Sequence, residues 1–555
     1  MPLRLKNFGL NDGATMGGAF GRWLFHCHIF FHAHNGMISE LVVTESDGSE
    51  RPYVNVGGSW AYTPSGLIAT RSGTFAHPDG KVVTLSASEG NLSFTPGASS
   101  GSWQWNFDST GEPDGVRYVY INASDGTRND KTVFRLKIGG LDDGSDTGDP
   151  HLRSLDGTRF DFQAVGEFVL LRDDDGLEVQ TRQTPVETAN PIQDSHSGLR
   201  VCVSLNTAVA ARVGNHRISY QPGRERGELV LYLDGKPADL DRRGIELNGH
   251  RVSHFDADGR RGLRIDYAHH AVVTVTPLSW TSHGIHYLNV DISRTQADQG
   301  LMAPLVPGSW LPPLSDGRNL GPRPTDLSER FHQLYRVFAD SWRVTDRSSL
   351  FTYQPGTSTA TFTDRNWPAE KLPCKVKKEL AIPNAPELPG MPVEKARRIC
   401  RGVTDRDLFE NCVFDVATTG DKSFAEGYLF QQELAERATA VQIVQAKPDF
   451  APRESFRVMA IVSSLKPGKS VPRGRVTFFI DGVEAGKPIP LDKKGRAVFR
   501  VRRARPGMRI HAEYSGGRRH YPSGSPSLIH PVEQRPEDSG HDGREAAVTK
   551  SEQQL

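Results

Sequence analysis

Short apolar runs ended by turn-forming residues constrain this chain more than any other feature. Runs such as KVVTLSA and RYVYINASD alternate apolar and polar side chains, and Gly, Pro, Ser, Asn or Asp separates one run from the next. Alternation with a period of two is typical of strands with one buried face, and the separating residues are those that turns require. The chain also carries 55 glycines and 36 prolines, which disfavour long helices. We therefore predict a mainly β, multidomain protein, with β-sandwich modules flanking another β domain and one small helical module.

Length and charge limit the classes of protein that fit. A chain of 555 residues predicts about three to five domains. Its formal net charge is +1, so no overall attraction to nucleic acid or to an anionic membrane is expected. The sequence contains no run of about 18 apolar residues, so a membrane-spanning helix is not predicted. The first residues lack the apolar region of a signal peptide.

The stretch GRWLFHCHIFFHAHNGM, near the start of the chain, combines residues that bind metals. The segment Trp23 to Phe31 is predicted to be a strand, in which His26 and His28 share one face and Cys27 lies on the other. Cys, His and a weak axial Met are the ligands of blue-copper electron-transfer sites. The stretch therefore indicates copper chemistry.

The pattern His26-Cys27-His28-Ile29-x-x-His32-x-x-x-Gly36-Met37 resembles the C-terminal copper signature of the multicopper oxidases. The resemblance implies that the type 1 copper is held by Cys27, His32 and Met37. It also implies that His26 and His28 each bind one copper of the type 3 pair.

The other ligands that such an oxidase needs are not evident in the sequence. The family requires a second type 1 histidine and six more cluster histidines, yet the only other His-x-His is His32/His34, inside the same motif. Residues 1–47 would supply only the last strands of a cupredoxin domain. We therefore expect that cupredoxin domains and an export signal are missing upstream, and that this chain alone is not a complete oxidase. Whether it is an enzyme is left open.

Residues 50–140 are predicted to form a β-sandwich, similar to immunoglobulin-like or PKD-like modules. The run GSWQWNF places Trp103 and Trp105 on one face of a strand, where they are expected to fill the core.

The acidic run Asp142 to Asp149 is predicted to be a solvated linker that could hold calcium weakly. It leads into GDPHLRSLDGTRFDFQAVGEFVLLR, whose Gly-Asp-Pro-His, Asp-Gly turn and aromatic strand resemble the start of a von Willebrand factor type D domain. We assign residues 146–366 to that domain. Its usual cysteines are nearly absent, and Cys202 is expected to be a buried thiol. The loop after Gly300-Leu301 has Pro in place of most oxygen ligands, so a calcium site there is disfavoured.

The Asp149–Pro150 bond carries a further expectation from the same resemblance. In some members of the family this bond breaks in mild acid, because the Asp carboxyl attacks its own carbonyl and proline is a good leaving group. The hypothesis is slow self-cleavage after Asp149. The alternative is that the tetrapeptide is a structural turn.

Residues 392–438 change period and are predicted to form a small helical module, with Asp405 and Ser423 as helix caps. The module resembles the cysteine-containing helices that follow type D domains. The resemblance implies a disulfide between Cys400 and Cys412 if the chain is exported. It leaves Cys374 to Cys202, to another chain, or free.

Residues 441–532 return to strands and resemble a bacterial immunoglobulin-like domain. Asp481-Gly482 is predicted to be a hairpin turn. This part is locally basic, which charged outer strand faces explain more simply than a polyanion site. Residues 533–555 are polar and charged, and a disordered tail is expected there.

Two functions of different class follow. In the first, the chain is the C-terminal part of a secreted copper oxidase fused to type D and immunoglobulin-like adhesion modules. In the second, it is a purely adhesive surface protein whose copper motif is vestigial. Both place the protein outside the cell or on its surface, with extracellular matrix or a cell-surface polymer as the expected partner and no specific nucleic acid.

Overall fold

The computed structural model describes most of the chain. The described residues are 21–26, 38–43, 51–56, 60–63, 68–113, 115–139, 142–225, 227–241, 244–257, 259–268, 271–280, 284–372, 374–381, 388–445, 455–466, 470–503, 505 and 507–529. Strands predominate, and the protein is mainly β and multidomain with one small helical part, as the sequence predicted. Among the described residues, no helix is both long and apolar enough to cross a membrane.

The first described element is a hairpin in the segment that carries the copper motif. It pairs β1 (Gly21–His26) with β2 (Ile38–Val43) in antiparallel register, with His26 opposite Ile38. Only the backbone of His26 can be described. The other predicted copper ligands lie outside the described residues: Cys27, His28, His32 and Met37.

A β-sandwich follows. Its strands are β3 (Tyr53–Val56), β4 (Trp60–Thr63), β5 (Ile68–Ala76), β6 (Thr84–Ala87), β7 (Asn91–Phe94), β8 (Ser100–Asp108), β9 (Gly115–Ser124) and β10 (Asn129–Ile138). One sheet has the order β3-β5-β8-β7 and the other β4-β10-β9-β6. Trp103 and Trp105 are each 1% exposed and lie in the core between the sheets, as predicted.

The central unit contains two larger sheets. Its strands are β11 (Asp142–Thr147), β12 (His151–Arg153), β13 (Arg159–Asp161), β14 (Gly166–Arg172), β15 (Glu178–Pro185), β16 (Ser204–Val213), β17 (His216–Pro222), β18 (Leu229–Leu233), β19 (Lys236–Pro237), β20 (Ile245–Leu247), β21 (His250–Ala257), β22 (Arg260–Asp266), β23 (Val272–Trp280) and β24 (Ile285–Thr295). The eight-stranded sheet runs β13-β12-β11-β24-β23-β22-β21-β20, and the six-stranded sheet runs β14 to β19 in sequence order. Apolar side chains from both sheets form one shared core.

The prediction of a solvated linker at Asp142 to Asp149 is wrong. Six of these residues form β11, which pairs with β12 on one side and with β24 on the other. Asp146 and Asp149 are fully buried. The sequence misled because acidic residues are normally solvated, whereas here the backbone of the segment completes the sheet.

Helices pack against the sheets of the central unit. The first helical stretch is continuous and consists of α1 (Leu327–His332), a π-helical segment (Gln333–Phe338) and α2 (Ala339–Ser341). Three later helices follow: α3 (Val393–Cys400), α4 (Arg406–Thr419) and α5 (Ser423–Arg437). A short 3-10 helix spans Thr359–Phe362. The three later helices share a hydrophobic core with β23, β24 and neighbouring residues of the central sheets.

One of the two predicted helix caps is confirmed. Asp405 caps α4, because its carboxylate accepts hydrogen bonds from the N–H groups of Asp407 and Leu408. Ser423 is not the cap of α5. Instead, the Asp421 carboxylate accepts a hydrogen bond from the Ser423 N–H. Aspartate and serine are both strong cap formers, so the sequence alone did not distinguish them.

The structure contains two disulfides among the described residues. Cys400 and Cys412 are joined between α3 and α4. Cys202 is bonded to Cys374, which is one of the alternatives left open for Cys374. The expectation of a buried free thiol at Cys202 is therefore wrong. The segment that carries Cys374 packs against this part of the central unit and brings the two sulfurs together.

A second β-sandwich ends the described chain. Its strands are β25 (Thr439–Gln445), β26 (Phe456–Ser464), β27 (Arg475–Ile480), β28 (Val483–Glu484), β29 (Ile489–Pro490), β30 (Arg496–Val501), β31 (Arg509–Tyr514), β32 (Ser523–Gly524) and β33 (Leu528–Ile529). Asp481 and Gly482 connect β27 to β28 with φ angles of 47° and 79°, which confirms the predicted hairpin turn. The predicted tail, residues 533–555, lies outside the described residues.

Candidate functional site

The turn between β11 and β12 lies at the centre of the candidate site. Thr147 and His151 are paired across the two strands, so Gly148, Asp149 and Pro150 form the turn. Gly148 has a φ of 67°, a left-handed conformation that favours glycine. A Cβ atom at this position would overlap the Asp415 carboxylate and the Tyr428 hydroxyl. Glycine is therefore required both by the backbone conformation and by the close approach of the helices.

His151 is surrounded by three carboxylates. Its Nδ1 lies 2.6 Å from Asp161 Oδ1, while its Nε2 lies 2.9 Å from Asp415 Oδ1 and 3.0 Å from Asp149 Oδ1. The imidazole is nearly enclosed, with 4% of its side chain exposed. Because both ring nitrogens face acceptors, the geometry favours the doubly protonated imidazolium.

The helical part of the protein supplies the far side of the site. Asp415 lies in α4, and its Oδ2 accepts a 2.7 Å hydrogen bond from the hydroxyl of Tyr428 in α5. The ring of Phe414 packs edge-on against His151, with 5.1 Å between ring centroids. The site is therefore complete only when these helices are docked on the sheet.

Two amides hold the turn in place. The Gly148 N–H donates to Asn289 Oδ1 at 2.9 Å, and the Asn289 amide in turn donates to Gln431 Oε1. Gln163 Nε2 lies 3.4 Å from Asp149 Oδ1. The other carboxylate oxygen of Asp149 is buried and has no hydrogen-bond partner among the described residues. The peptide bond after Asp149 is thus fixed next to an incompletely satisfied carboxyl group.

Burial and charge shift the pKa values of this cluster. Burial, with the nearby Asp415 carboxylate, raises the pKa of Asp149 to about 7. Burial also raises the pKa of Asp146 to about 7, although Asn206 and His151 oppose that shift. Burial disfavours the charged form of His151, but the carboxylates of Asp161, Asp149 and Asp415 outweigh it and raise its pKa well above the usual value. The Asp149 side chain is therefore a carboxylic acid in mildly acidic solution.

Access to solvent comes through a cleft beside the site. The cleft has a volume of about 570 Å³, and His151, Asp161, Asp407 and Asn411 are among its lining residues. Asp149 itself is not in the lining, so water reaches the cluster from the His151 side.

The same atoms could also hold a metal ion. One ligand atom each from Asp149, His151 and Asp415 lies within 4.8 Å of the others. The hydrogen bonds described above already connect these atoms to one another. The arrangement can therefore share and transfer protons without a metal.

The sequence-predicted site residues have different outcomes. Asp149 and Pro150 lie in the buried turn, whereas the predicted copper ligands cannot be compared because their side chains are not described. Sequence reasoning missed Asp415 and Tyr428. A signal existed for Asp415, since it is a single carboxylate inside the otherwise apolar helical run CVFDVA.

Comparisons with known proteins give a family match and a curated relative. Residues 16–47 match the multicopper oxidase family. Sushi domain-containing protein 2 of Homo sapiens is 28% identical over 338 residues, which is 59% of this chain and 35% of that protein. The chain therefore spans 35% of the length of this curated relative.

Solved structures align only weakly. Titin domains Z1Z2 in complex with telethonin align with 31% of this chain and 93% of their own, at 12% identity and a TM-score of 0.14. Domains 4–9 of the surface layer protein SbsC align with 89% of this chain and 67% of their own, at 10% identity and a TM-score of 0.14. These scores carry no argument about this chain. The comparisons support the copper oxidase signature, while the type D resemblance stays a prediction.

Proposed function

We propose that this chain is an extracellular multidomain protein that cleaves its own backbone between Asp149 and Pro150. The observation that carries the proposal is the buried Asp149 carboxyl, held in a tight turn and hydrogen-bonded to His151. The Asp149 Oδ2 atom is buried without a hydrogen-bond partner among the described residues, which is costly for a polar group.

The proposed reaction uses the Asp149 side chain as an intramolecular nucleophile. One side-chain oxygen adds to the main-chain carbonyl carbon of the same residue, which forms a five-membered ring. The bond to Pro150 then breaks, and its nitrogen leaves as a secondary amine after taking a proton. Water opens the resulting cyclic anhydride and leaves Asp149 as a free C-terminus. Positioning of this kind replaces a bimolecular attack and can be worth about 10⁵ M or more in effective concentration.

The surrounding residues would supply and hold the proton. The raised pKa of Asp149, caused first by burial and then by Asp415, keeps its carboxyl protonated below about pH 7. The acid form can give its proton to the leaving nitrogen as its oxygen attacks. His151 is held in place by Asp161 and Asp415. Its Nε2 orients the Asp149 Oδ1 atom, which lies 3.0 Å away. The rate should rise as the pH falls through about 7.

Two further observations support an extracellular location. Disulfides persist mainly in oxidising compartments, and the described chain contains two of them. The curated relative carries the name of an extracellular-type module, the sushi domain. We accordingly propose a secreted or surface protein whose central unit is of the von Willebrand factor type D kind, with sandwich modules that bind matrix or a surface polymer.

The cleavage is tested by intact mass. Purified full-length protein is incubated for days at pH 5 and at pH 9, with and without a chelator. We expect two fragments, residues 1–149 and 150–555, which form faster at pH 5 and independently of the chelator. A single unbroken mass at both pH values would overturn the proposal. Dependence on the chelator would assign the cluster to a metal instead.

Copper binding is a second candidate, favoured by the family match of residues 16–47. Under this proposal, Cys27, His32 and Met37 hold a type 1 copper, and His26 and His28 face the type 3 pair. Added Cu(II) should then produce the intense blue colour of copper bound to thiolate, and a Cys27→Ser variant should not. A colourless wild-type protein would instead support the alternative of an adhesive protein with a vestigial copper motif.

A further inference from the structure

We infer that cleavage after Asp149 does not release residues 1–149. The N-terminal fragment stays bound as an inserted strand, so that the mature protein is a complex of two chains without a covalent link. This inference rests on the proposed cleavage, but it concerns what holds the fragments together.

The first argument is the position of β11 in the sheet. The scissile bond follows β11, which lies inside the eight-stranded sheet and pairs with neighbours on both sides. Its partners on both sides, β12 and β24, belong to the C-terminal fragment. A strand paired on both sides keeps its backbone hydrogen bonds when the turn at its end is cut.

Side chains of the C-terminal fragment also hold β11. Arg153 Nη1 donates to the Asp143 carbonyl at 3.0 Å, and the Gly148 N–H donates to Asn289 Oδ1 at 2.9 Å. A Cβ atom at Gly144 would meet the methyl carbon of Met302 at 2.5 Å, so the strand packs closely against its surroundings. These contacts do not involve the bond that breaks.

The N-terminal sandwich provides a second set of contacts. Arg71 and Asp175 form a 2.9 Å ion pair across the cut, with only 2% and 6% of their side chains exposed. Gln442 Nε2, in the C-terminal sandwich, donates to the Ile68 carbonyl at 2.6 Å. The fragment is therefore held at two places, by β11 and by the face of its sandwich.

Neither disulfide crosses the cleavage site. Cys202–Cys374 and Cys400–Cys412 both lie within residues 150–555. The association must then depend on the sheet and on the buried ion pair. Loss of residues 1–149 would leave the edges of β12 and β24 unpaired, and this exposure disfavours release.

The test is size exclusion of the cleaved protein. Full-length protein is cut at pH 5, returned to neutral pH without reductant, and applied to the column. We expect both fragments in one peak, and two separate bands on a denaturing gel run without reductant. Two peaks on the column would overturn the inference. A need for reductant to separate the bands would also overturn it, because a covalent link would then hold the fragments.

An engineered variant tests the retention of the fragments independently of the natural cleavage. A flexible loop with a recognition sequence for a specific protease is inserted between Asp149 and Pro150 in the full chain, and the purified protein is cut with that protease. The turn is buried, so the inserted loop is made long enough to carry the recognition sequence out to solvent. Retention of both fragments supports the inference even if the natural chain never cleaves. Separation overturns it even if the natural chain does cleave.

Matched substitutions identify what holds the fragment. Arg71→Gln removes the buried ion pair, and we expect it to increase the fraction released in moderate urea at least tenfold. Arg261→Gln is the control, because Arg261 pairs with Asp239 on the surface and both lie in the same fragment. Equal release from both variants would overturn the role assigned to the Arg71 contact.

Discussion

Two shielded histidine and aspartate clusters in this protein differ in how well their carboxylates are satisfied. In the N-terminal sandwich, His77 Nε2 lies 3.1 Å from Asp125 Oδ2, and its Nδ1 accepts from the Asp79 N–H. Asp125 Oδ1 accepts further hydrogen bonds from the N–H groups of Thr127 and Arg128. In the central unit, one histidine instead contacts three carboxylates, and one oxygen of Asp149 has no hydrogen-bond partner within the described part of the chain.

The pKa values separate the two clusters in the same way. Burial acts to raise the pKa of Asp125, but hydrogen bonds from the Arg128 and Thr127 N–H groups hold this pKa well below its usual range. Burial, with the nearby Asp415 carboxylate, raises the pKa of Asp149 to about 7. Burial, neighbouring charge and the number of hydrogen-bond donors together decide whether such a cluster stabilises a loop or retains a reactive acid.

The largest expected effect comes from Asp149. Asp149→Asn removes the attacking carboxyl, so cleavage at pH 5 should become undetectable, a loss of more than about 100-fold. The loss is measured by intact mass over several days. Asp125→Asn is the matched control and should cleave at the wild-type rate. Cleavage of the Asp149→Asn protein at the wild-type rate would contradict the proposed nucleophile.

Asp415 should act by position and charge. Asp415→Asn removes a carboxylate that raises the pKa of Asp149, so we expect roughly tenfold slower cleavage at pH 7 and a pH profile moved to lower pH. Tyr428→Phe, which removes only the hydrogen bond to Asp415, should have a smaller effect in the same direction. An equal loss of rate at every pH would indicate a role in stability alone.

A substitution in the cluster of His77 and Asp125 should change the stability of the N-terminal sandwich and leave the rate of cleavage after Asp149 unchanged. Asp125→Ala removes the acceptor of the 124–128 turn, and we expect a loss of about 2 kcal/mol in the unfolding of the N-terminal sandwich. Urea unfolding followed by tryptophan fluorescence measures this change, since Trp103 and Trp105 lie in that core. A change in the rate of cleavage after Asp149 in the Asp125→Ala protein would contradict the separate roles of the two clusters.

The smallest expected effect concerns Asp146, which faces Asn206, His151 and Asp291. Burial raises the pKa of Asp146 to about 7 in the folded protein. The contribution of Asp146 to the free energy of unfolding is therefore complete below the pKa that this group has in the unfolded chain, and it is lost as the pH rises through about 7. Asp146→Asn should therefore raise Tm by roughly 2–4 °C at pH 8 and leave it nearly unchanged at pH 4. The exposed Asp239→Asn serves as control, and a Tm difference independent of pH would contradict the assignment.

Several elements could be predicted from local sequence. The buried pair Trp103 and Trp105 follows from alternation, and the Asp481-Gly482 turn follows from the preference of these residues for positive φ. The strand β11 was not predicted, since its sequence is acidic and one of its two pairing partners, β24, lies more than a hundred residues away. Pairing of distant strands depends on the whole sheet and leaves little local signal.

The mainly β architecture, the helical segment, the copper signature and the Asp-Pro bond follow from the amino-acid sequence, because each depends on neighbouring residues. The burial of the acidic strand, and the approach of Asp415 to His151 from 264 residues away, depend on how distant strands and helices pack together. Desolvation explains the difference. Burial disfavours the charged form of a carboxyl group, and the enclosure made by distant strands and helices raises the pKa of Asp149 toward neutrality.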